Sequence, residues 1–443
     1  MGTSIELELG GIGLDYAKNH MGPDHGHLFQ EGDRTRRPVG GIVDEDGEAE
    51  GNGDVGHDED RAAEEAAFVR PLSRVLPRLN LLGFTLGVAR REYEAVVAEQ
   101  VEQSSWDHRE DKTKADYMTF DEFCAFCDRF EIADLDDTYI GGMSDEEEEK
   151  ARGRFNAVAD ELARIPHDTL DRPLFWSERS FFGASICILS AYSMLQVFGR
   201  GATNQNAEVI WQYGPIVEAG WVPLEMYQPG IRRKEALLIA TEGTSDARIL
   251  RRAVDVLRPD IADFLRFIDV DQSHPFPGTG NLVKFAEGLV HIDVLNRIVF
   301  VLDNDAEGIA GLRKIEAMAK PINMRAISLP ALDALKSFPA RGPEGLATTD
   351  INERAAAIEC YLDLNLPGRP DPVVVWSNYK KDIDRWHGGL DYKETYTKHF
   401  LEQKDTALLD GTYQTDKLEA VLDAILAEAM VLADGDLSAD WMA

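Results

Sequence analysis

Two uncharged apolar runs organise the chain: Ala236-Leu237-Leu238-Ile239-Ala240 and Ile298-Val299-Phe300-Val301-Leu302. Runs of this length without polar alternation predict strands buried on both faces, the habit of parallel sheets. Around them, helical periodicity over 245–257, 281–289 and 307–319 alternates with strand patterns over 264–270, 298–302 and 324–329. That alternation predicts an α/β fold with a parallel sheet and right-handed crossovers. Near the start, Ser4-Ile5-Glu6-Leu7-Glu8-Leu9 alternates polar and apolar positions and predicts a strand with one face buried. Helical spacing resumes at Phe68 and dominates to about residue 220. Within it, the uncharged stretch 180–199 has nearly the length of a membrane span. Ser185, Ser190, Ser193 and Gln196 make it a buried core helix instead. A helix is also expected over 349–362, capped by Asp350, and helices are expected from 367 to the end.

Charge changes this picture in two places. The chain carries 80 Asp and Glu against 46 Lys and Arg, a formal charge of −34. Much of the excess lies in two acidic breaks, 44–65 and 134–149. The first is Gly-rich, lacks apolar periodicity and reads as a disordered loop. Such a charge disfavours a broad electrostatic grip on nucleic acid. Either the acidic loops mimic nucleic acid and restrain a site, or the charge reflects a high-salt habitat. The division that results is a β-containing module over 1–43, an acidic loop over 44–66, a mostly helical region over 67–230, an α/β domain over 231–366 and a helical segment over 367–443. Four cysteines fit a reducing compartment. Cys124 and Cys127 form a Cys-x-x-Cys with no second pair, on a stretch with helical spacing, and read as buried thiols. The acidic start, without a long apolar stretch, gives no signal peptide, so a cytoplasmic location is expected.

Candidate chemistry sits directly after the two apolar runs, in Glu242-Gly243-Thr244-Ser245-Asp246 and Asp303-Asn304-Asp305-Ala306-Glu307-Gly308. Ligands of open α/β sheets bind beyond the carboxyl ends of the strands, so acids placed there can converge. Clustered carboxylates repel unless a cation lies among them, and hard oxygen donors suit Mg²⁺ or Mn²⁺. The plainer account is that these acids cap helices and decorate solvated turns.

Glu-Gly-x-x-Asp followed by Asp-x-Asp-x-x-Gly resembles the Toprim domain of topoisomerases, primases and OLD-family nucleases, and the likeness covers about residues 231–366. It implies a metal-dependent site in which Asp303 and Asp305 hold metal, Glu242 is ligand or general base, and Asp246 completes the first motif. The strand gate of a topoisomerase and the zinc clusters of a primase have no counterpart, which leaves hydrolysis by an OLD-like nuclease. Such nucleases add acids after the last Toprim strand, where Glu359 and Asp350 are candidates, and a transition-state lysine, for which Lys393 and Lys398 are candidates. Gly278, Gly280 and Asn281 either offer amides to a phosphate or form a plain turn and cap. The segment following Ser4–Leu9, Gly10 to His20, looks like the small module that precedes HEPN or Toprim domains in prokaryotic conflict systems. This implies an effector of antiviral defence, tilts the substrate toward RNA such as tRNA over DNA, and implies as partners a nucleic acid and a further defence protein; a second copy of the chain is a further candidate partner, and the polar residues of 180–199 leave no membrane. His20, Asp24, His25 and His27 form either a second metal or RNA site or a scatter of surface histidines. Beyond Pro370, Lys380, Lys381, Arg385, Lys393, Lys398 and Lys404 interleave with Trp376, Tyr379, Trp386, Tyr392 and Tyr396. That pattern suits either a nucleic-acid strand or an ordinary helical surface. The competing class is a non-catalytic sensor or adaptor built on the same fold.

Overall fold

A computed structural model describes residues 3–38, 64–107, 113–114, 116–140, 144–166, 175–268, 278–292, 294–366, 368, 370–381 and 384–440. The chain forms two compact units, Met1–Asn80 with Phe84–Gly230, and Leu81–Gly83 with Ile231–Ala443.

The first unit is built on an antiparallel sheet. Its strands are β1 (Ser4–Leu9), β2 (Ile12–Lys18), β3 (Arg34–Pro38), β4 (Glu64–Pro71) and β5 (Glu208–Gln212), in the order β2-β1-β5-β4-β3. The alternation in β1 does what its period implies, since Ile5, Leu7 and Leu9 are buried. Residues 1–43 and 67–230, read apart in the sequence, thus share one sheet. Most of the acidic loop, up to residue 63, lies outside the described residues, and Glu64–Glu65 open β4. Both β4 and β5 lie where helical spacing was read, because Phe68 and Trp211 satisfy the core as directly opposed strand partners rather than as helix faces.

The helices of this unit are α1 (Leu72–Leu82), α2 (Leu86–Asp107), α3 (Phe120–Asp128), α4 (Asp145–Arg152), α5 (Ala159–Leu162), α6 (Glu178–Ile186), α7 (Ala191–Gly199) and α8 (Gly214–Glu218). The expected single core helix over 180–199 is two helices, α6 and α7, bent by 108°. Among the described residues no single helix is long and apolar enough to cross a membrane. The second acidic break contains α4, started by a capping box between Ser144 and Glu147. Cys124 and Cys127 are buried on α3, which Thr119 and Glu122 cap in the same way.

The second unit centres on a parallel sheet with helices on both faces. The strands β6 (Leu237–Thr241), β7 (Leu265–Phe267), β8 (Arg297–Leu302) and β10 (Met324–Ser328) run in the order β10-β8-β6-β7, with the two-residue strand β9 (Asn304–Asp305) just beyond β8. Every residue of β8 is buried, as its unbroken apolar run requires. The connecting helices are α9 (Thr244–Leu257), α10 (Thr279–His291) and α11 (Ala306–Glu316). Ile298, Phe300 and Leu302 pack with Leu282 and Ala286 of α10 and Ile315 of α11. The other face meets α9 and the long C-terminal helix introduced below.

Beyond this sheet the chain departs from the helical expectation. No α-helix forms over 349–362, where the one helical turn is a 3-10 turn at Ile358–Tyr361. Instead β11 (Phe338–Gly342) and β12 (Gly345–Thr349) make a hairpin, Asp350 accepts from the amide of Asn352, and β13 (Ala355–Ala356) pairs with β9. The basic-aromatic stretch is a second hairpin, β14 (Val374–Lys380) and β15 (Arg385–Leu390), joined to β11. Only then do helices take over, as α12 (Lys393–Leu401), α13 (Asp405–Leu409) and α14 (Asp416–Asp440). The last is fastened by Arg258 to Glu419 and Asp423, and by Arg325 to Glu428.

Candidate functional site

From β6 the chain passes to β7 on one side, then crosses to β8 on the other, so the strand order reverses between β6 and β8. That reversal opens a crevice beyond the carboxyl ends of these two strands. Glu242 leaves β6 and Asp303 leaves β8 at this point. Glu242 Oε1 accepts the amide of Asp303 at 2.9 Å, and Asp303 Oδ1 accepts the amide of Ile358 at 3.0 Å. Three segments distant in sequence are therefore joined carboxylate to amide, and the last brings in the buried Glu359.

The intervening residue, Asn304, does the joining. It is buried, its Nδ2 donates to Asn352 Oδ1 and Tyr361 Oη, and its Oδ1 accepts the amide of Glu353. Glu353 itself sits at φ 58°, a left-handed backbone that costs a non-glycine residue about 1–3 kcal/mol. The glycine of the second motif also has a geometric reason. A Cβ on Gly308 would lie 2.0 Å from the carbonyl oxygen of Asp303. Gly243 is under no such constraint, since its Cβ would meet Asp246 at 3.4 Å.

Capping and clustering both hold for these acids. Asp305 caps α11 through the amides of Glu307 and Gly308, and Asp246 reaches back to the amide of Gly243 at 2.8 Å. Yet the same carboxylates feel one another. Burial raises Glu242 from its ordinary 4.5 to about 7, with Asp305 and Asp246 adding to the shift against bonds from Thr279 and the Asp303 amide. Burial, then Glu359, raises Asp246 to about 6, opposed by Lys393. Asp303 is pushed well above the carboxylate range by desolvation, then by Asp246, Glu242, Asp305 and Glu359. Asp305 is raised too, by desolvation, against its amide bonds and His387. Five acids thus share one electrostatic field.

The remaining candidates divide. Lys393, at the start of α12, faces Asp246 and lines an open groove of about 620 Å³ with Ser245, Arg248, Glu359 and Lys398. Lys398 is turned to Glu402 at 3.8 Å. Asp350 is held by Asn352 and lies beside Lys336, outside the acid group. Gly278 takes φ 89° and donates its amide to the carbonyl of Glu242, while Asn281 closes the first turn of α10 on Gly278, with Gly280 between them. That turn delivers the Thr279 hydroxyl to Glu242 Oε2. Thr279 and His387, whose Nδ1 is 3.7 Å from Asp305, are site residues that sequence reading missed. A hydroxyl one residue into a helix after a glycine was the available signal for Thr279. His387 gave none, since a hairpin brings it from eighty residues away.

In the first unit, His25 is buried between Tyr192 Oη at 2.8 Å and Asp15 at 3.1 Å, and His27 also meets Tyr192. Asp24 instead accepts the amide of Gly26, and His20 is exposed.

The donor chemistry fits a hard divalent cation, since carboxylate oxygens crowd a desolvated crevice. Among the described residues no three His, Cys, Asp or Glu side chains converge closely enough to clasp an ion as they stand.

Fold and site together define a mixed α/β protein with an acid cluster at the switch point of a parallel sheet. The chain belongs to the HEPN/Toprim N-terminal domain 1 family, whose model matches residues 1–235, more than half of its 443 residues. The match spans the whole of the first unit, and the family's description ties the chain to HEPN and Toprim proteins, a hint of a nuclease-associated protein. Neither the curated proteins nor the solved structures gave a match.

Proposed function

We propose that the second unit is a divalent-metal-dependent nuclease of Toprim type, similar to the OLD nucleases, that hydrolyses phosphodiester bonds in nucleic acid. The observation that carries this is the cluster of Glu242, Asp246, Asp303, Asp305 and Glu359, each raising or sharing the field of the others at the switch point. Asp303, Asp305, Glu242 and Glu359 would hold Mg²⁺ or Mn²⁺. When bound, the ion supplies polarisation of a phosphate oxygen and a more acidic attacking water. Where Glu242 stays outside the metal's coordination, its raised pKa instead suits it to accept a proton as general base, with Thr279 orienting its carboxylate. Lys393, which lines the groove and whose charge is felt by Asp246, meets the negative charge that builds on the phosphate. A preference for RNA such as tRNA, a setting in antiviral defence and partnership with another defence protein rest on the resemblance of the N-terminal module alone, and a cytoplasmic location or pairing with a second copy goes with this reading as a further proposal.

One observation favours a non-catalytic sensor or adaptor: three ligands do not converge in the acid cluster as it stands. Incubation with plasmid DNA and with total tRNA in Mg²⁺, Mn²⁺ or EDTA, beside Glu242→Ala and Asp303→Ala, separates the readings. Cleavage that needs metal and both acids is expected. Absence of cleavage in every condition would favour the adaptor, or an enzyme awaiting a partner, and turn the search to co-purifying proteins.

A further inference from the structure

The hairpin of β14 and β15 has two unlike faces. Asn378 opposes His387, Tyr379 opposes Trp386, and Lys380 opposes Arg385 across the strands. Side chains alternate along a strand, so His387, Lys380 and Arg385 share one face and the aromatic pair occupies the other. The first face is committed to the acid site, with His387 against Asp305, Lys380 on Glu307 and Arg385 on Glu353. The second is open. Tyr379 is 44% exposed and Trp386 42% exposed, with ring centroids 5.6 Å apart at an interplanar angle of 70°.

The two rings lie on the face opposite His387, with Trp386 on β15, the edge strand of its sheet. We propose that Tyr379 and Trp386 form a stacking platform for unpaired nucleobases of a strand whose phosphates run to the acid site. This rests on the nuclease reading of that site and deepens it by naming the substrate class as single-stranded nucleic acid. Ring faces take bases without charge, which suits a chain of formal charge −34. The hairpin's Lys380 and Arg385 are already paired with acids, so the platform contributes ring surface rather than phosphate neutralisation.

The test is fluorescence anisotropy of labelled oligonucleotides in EDTA, on full-length protein and on the Asp303→Asn variant, which keeps binding separate from cleavage. Expected are tighter binding of single-stranded rU and dT tracts than of duplex, and a loss of about 5- to 100-fold for Trp386→Ala and for Tyr379→Ala. Trp386→Phe should restore most of the affinity. An abasic strand should bind wild type about as weakly as the intact strand binds Trp386→Ala. Unchanged oligonucleotide affinity in both alanine variants, or equal binding of abasic and intact strands, would overturn the platform and turn the pair into a protein-docking face, whether or not wild type cleaves. Metal-dependent cleavage with unaffected binding would sink the platform and leave the nuclease standing. Stacking without any cleavage would do the reverse.

Discussion

Replacing Glu242 by glutamine should make the metal-free protein less sensitive to rising pH. Glutamine has the shape of the acid, can accept the Asp303 amide through its oxygen, and can donate to the Thr279 hydroxyl, so the substitution removes charge and little else. The folded-state pKa of Glu242 is raised from 4.5 to about 7. An acid raised in this way holds its proton more tightly when folded. Its stabilisation is fully present below the unfolded value and is lost as pH rises through about 7. The full shift corresponds to about 3 kcal/mol, and about 2 kcal/mol of it falls between about pH 5.5 and about pH 7.5. For a unit of this size that is about 4–8 °C in Tm. The assay is thermal unfolding of wild type and Glu242→Gln in EDTA across that range. The wild type should lose about 2 kcal/mol more than the variant, and taking the difference cancels the titrating groups outside the acid cluster. Curves that stay parallel would refute the claim that Glu242 is desolvated among like charges. Millimolar Mg²⁺ at about pH 7.5 should recover much of the lost wild-type stability if the acids hold an ion.

Gly308→Ala should cost about 1–3 kcal/mol by forcing the Asp303 carbonyl away, whereas Gly243→Ala should stay within about 1 kcal/mol; paired urea melts compare them, and equal losses would sink the distinction. Asn304→Ala leaves the Glu353 amide without its acceptor and removes the Nδ2 bonds to Asn352 and Tyr361, at a cost of about 1–3 kcal/mol, so limited proteolysis should cut the 350–361 segment faster than in wild type. In a nuclease assay Lys393→Ala should lower kcat about 100-fold or more, and Lys398→Ala should change it less than about threefold; the opposite ranking would reassign the cation.

The parallel sheet was legible because its strands are uniformly apolar and its helices periodic: 298–302 and 245–257 match β8 and α9 within one residue at each end. The acids at the ends of β6 and β8 were legible for the same reason, as the only polar punctuation after those runs. The segment 349–362 was not. Its helical spacing lost to Asn304 and Asp305, which pair with Ala355–Ala356 from fifty residues away, and no local pattern records such a partner. The β14–β15 hairpin was misread likewise, since interleaved lysines and aromatics suit a helix surface or a strand edge equally well. In the first unit, β4 and β5 depend on pairing across more than 130 residues, beyond the reach of any window. Asp350 was named for a helix cap that the chain never builds.

The bonds from the Asp303 and Ile358 amides into carboxylates give the molecule two internal reporters. Each proton lies on a backbone nitrogen, so it survives substitution of its own side chain, and each points at an oxygen whose ionisation defines the state of the cluster. Amide resonances of residues 303 and 358 should therefore move with the protonation of Glu242 and Asp303 respectively. Their exchange with deuterium should slow together only when all three segments have docked. Assembly of the crevice can be watched by spectroscopy at two peptide groups, before any substrate is known.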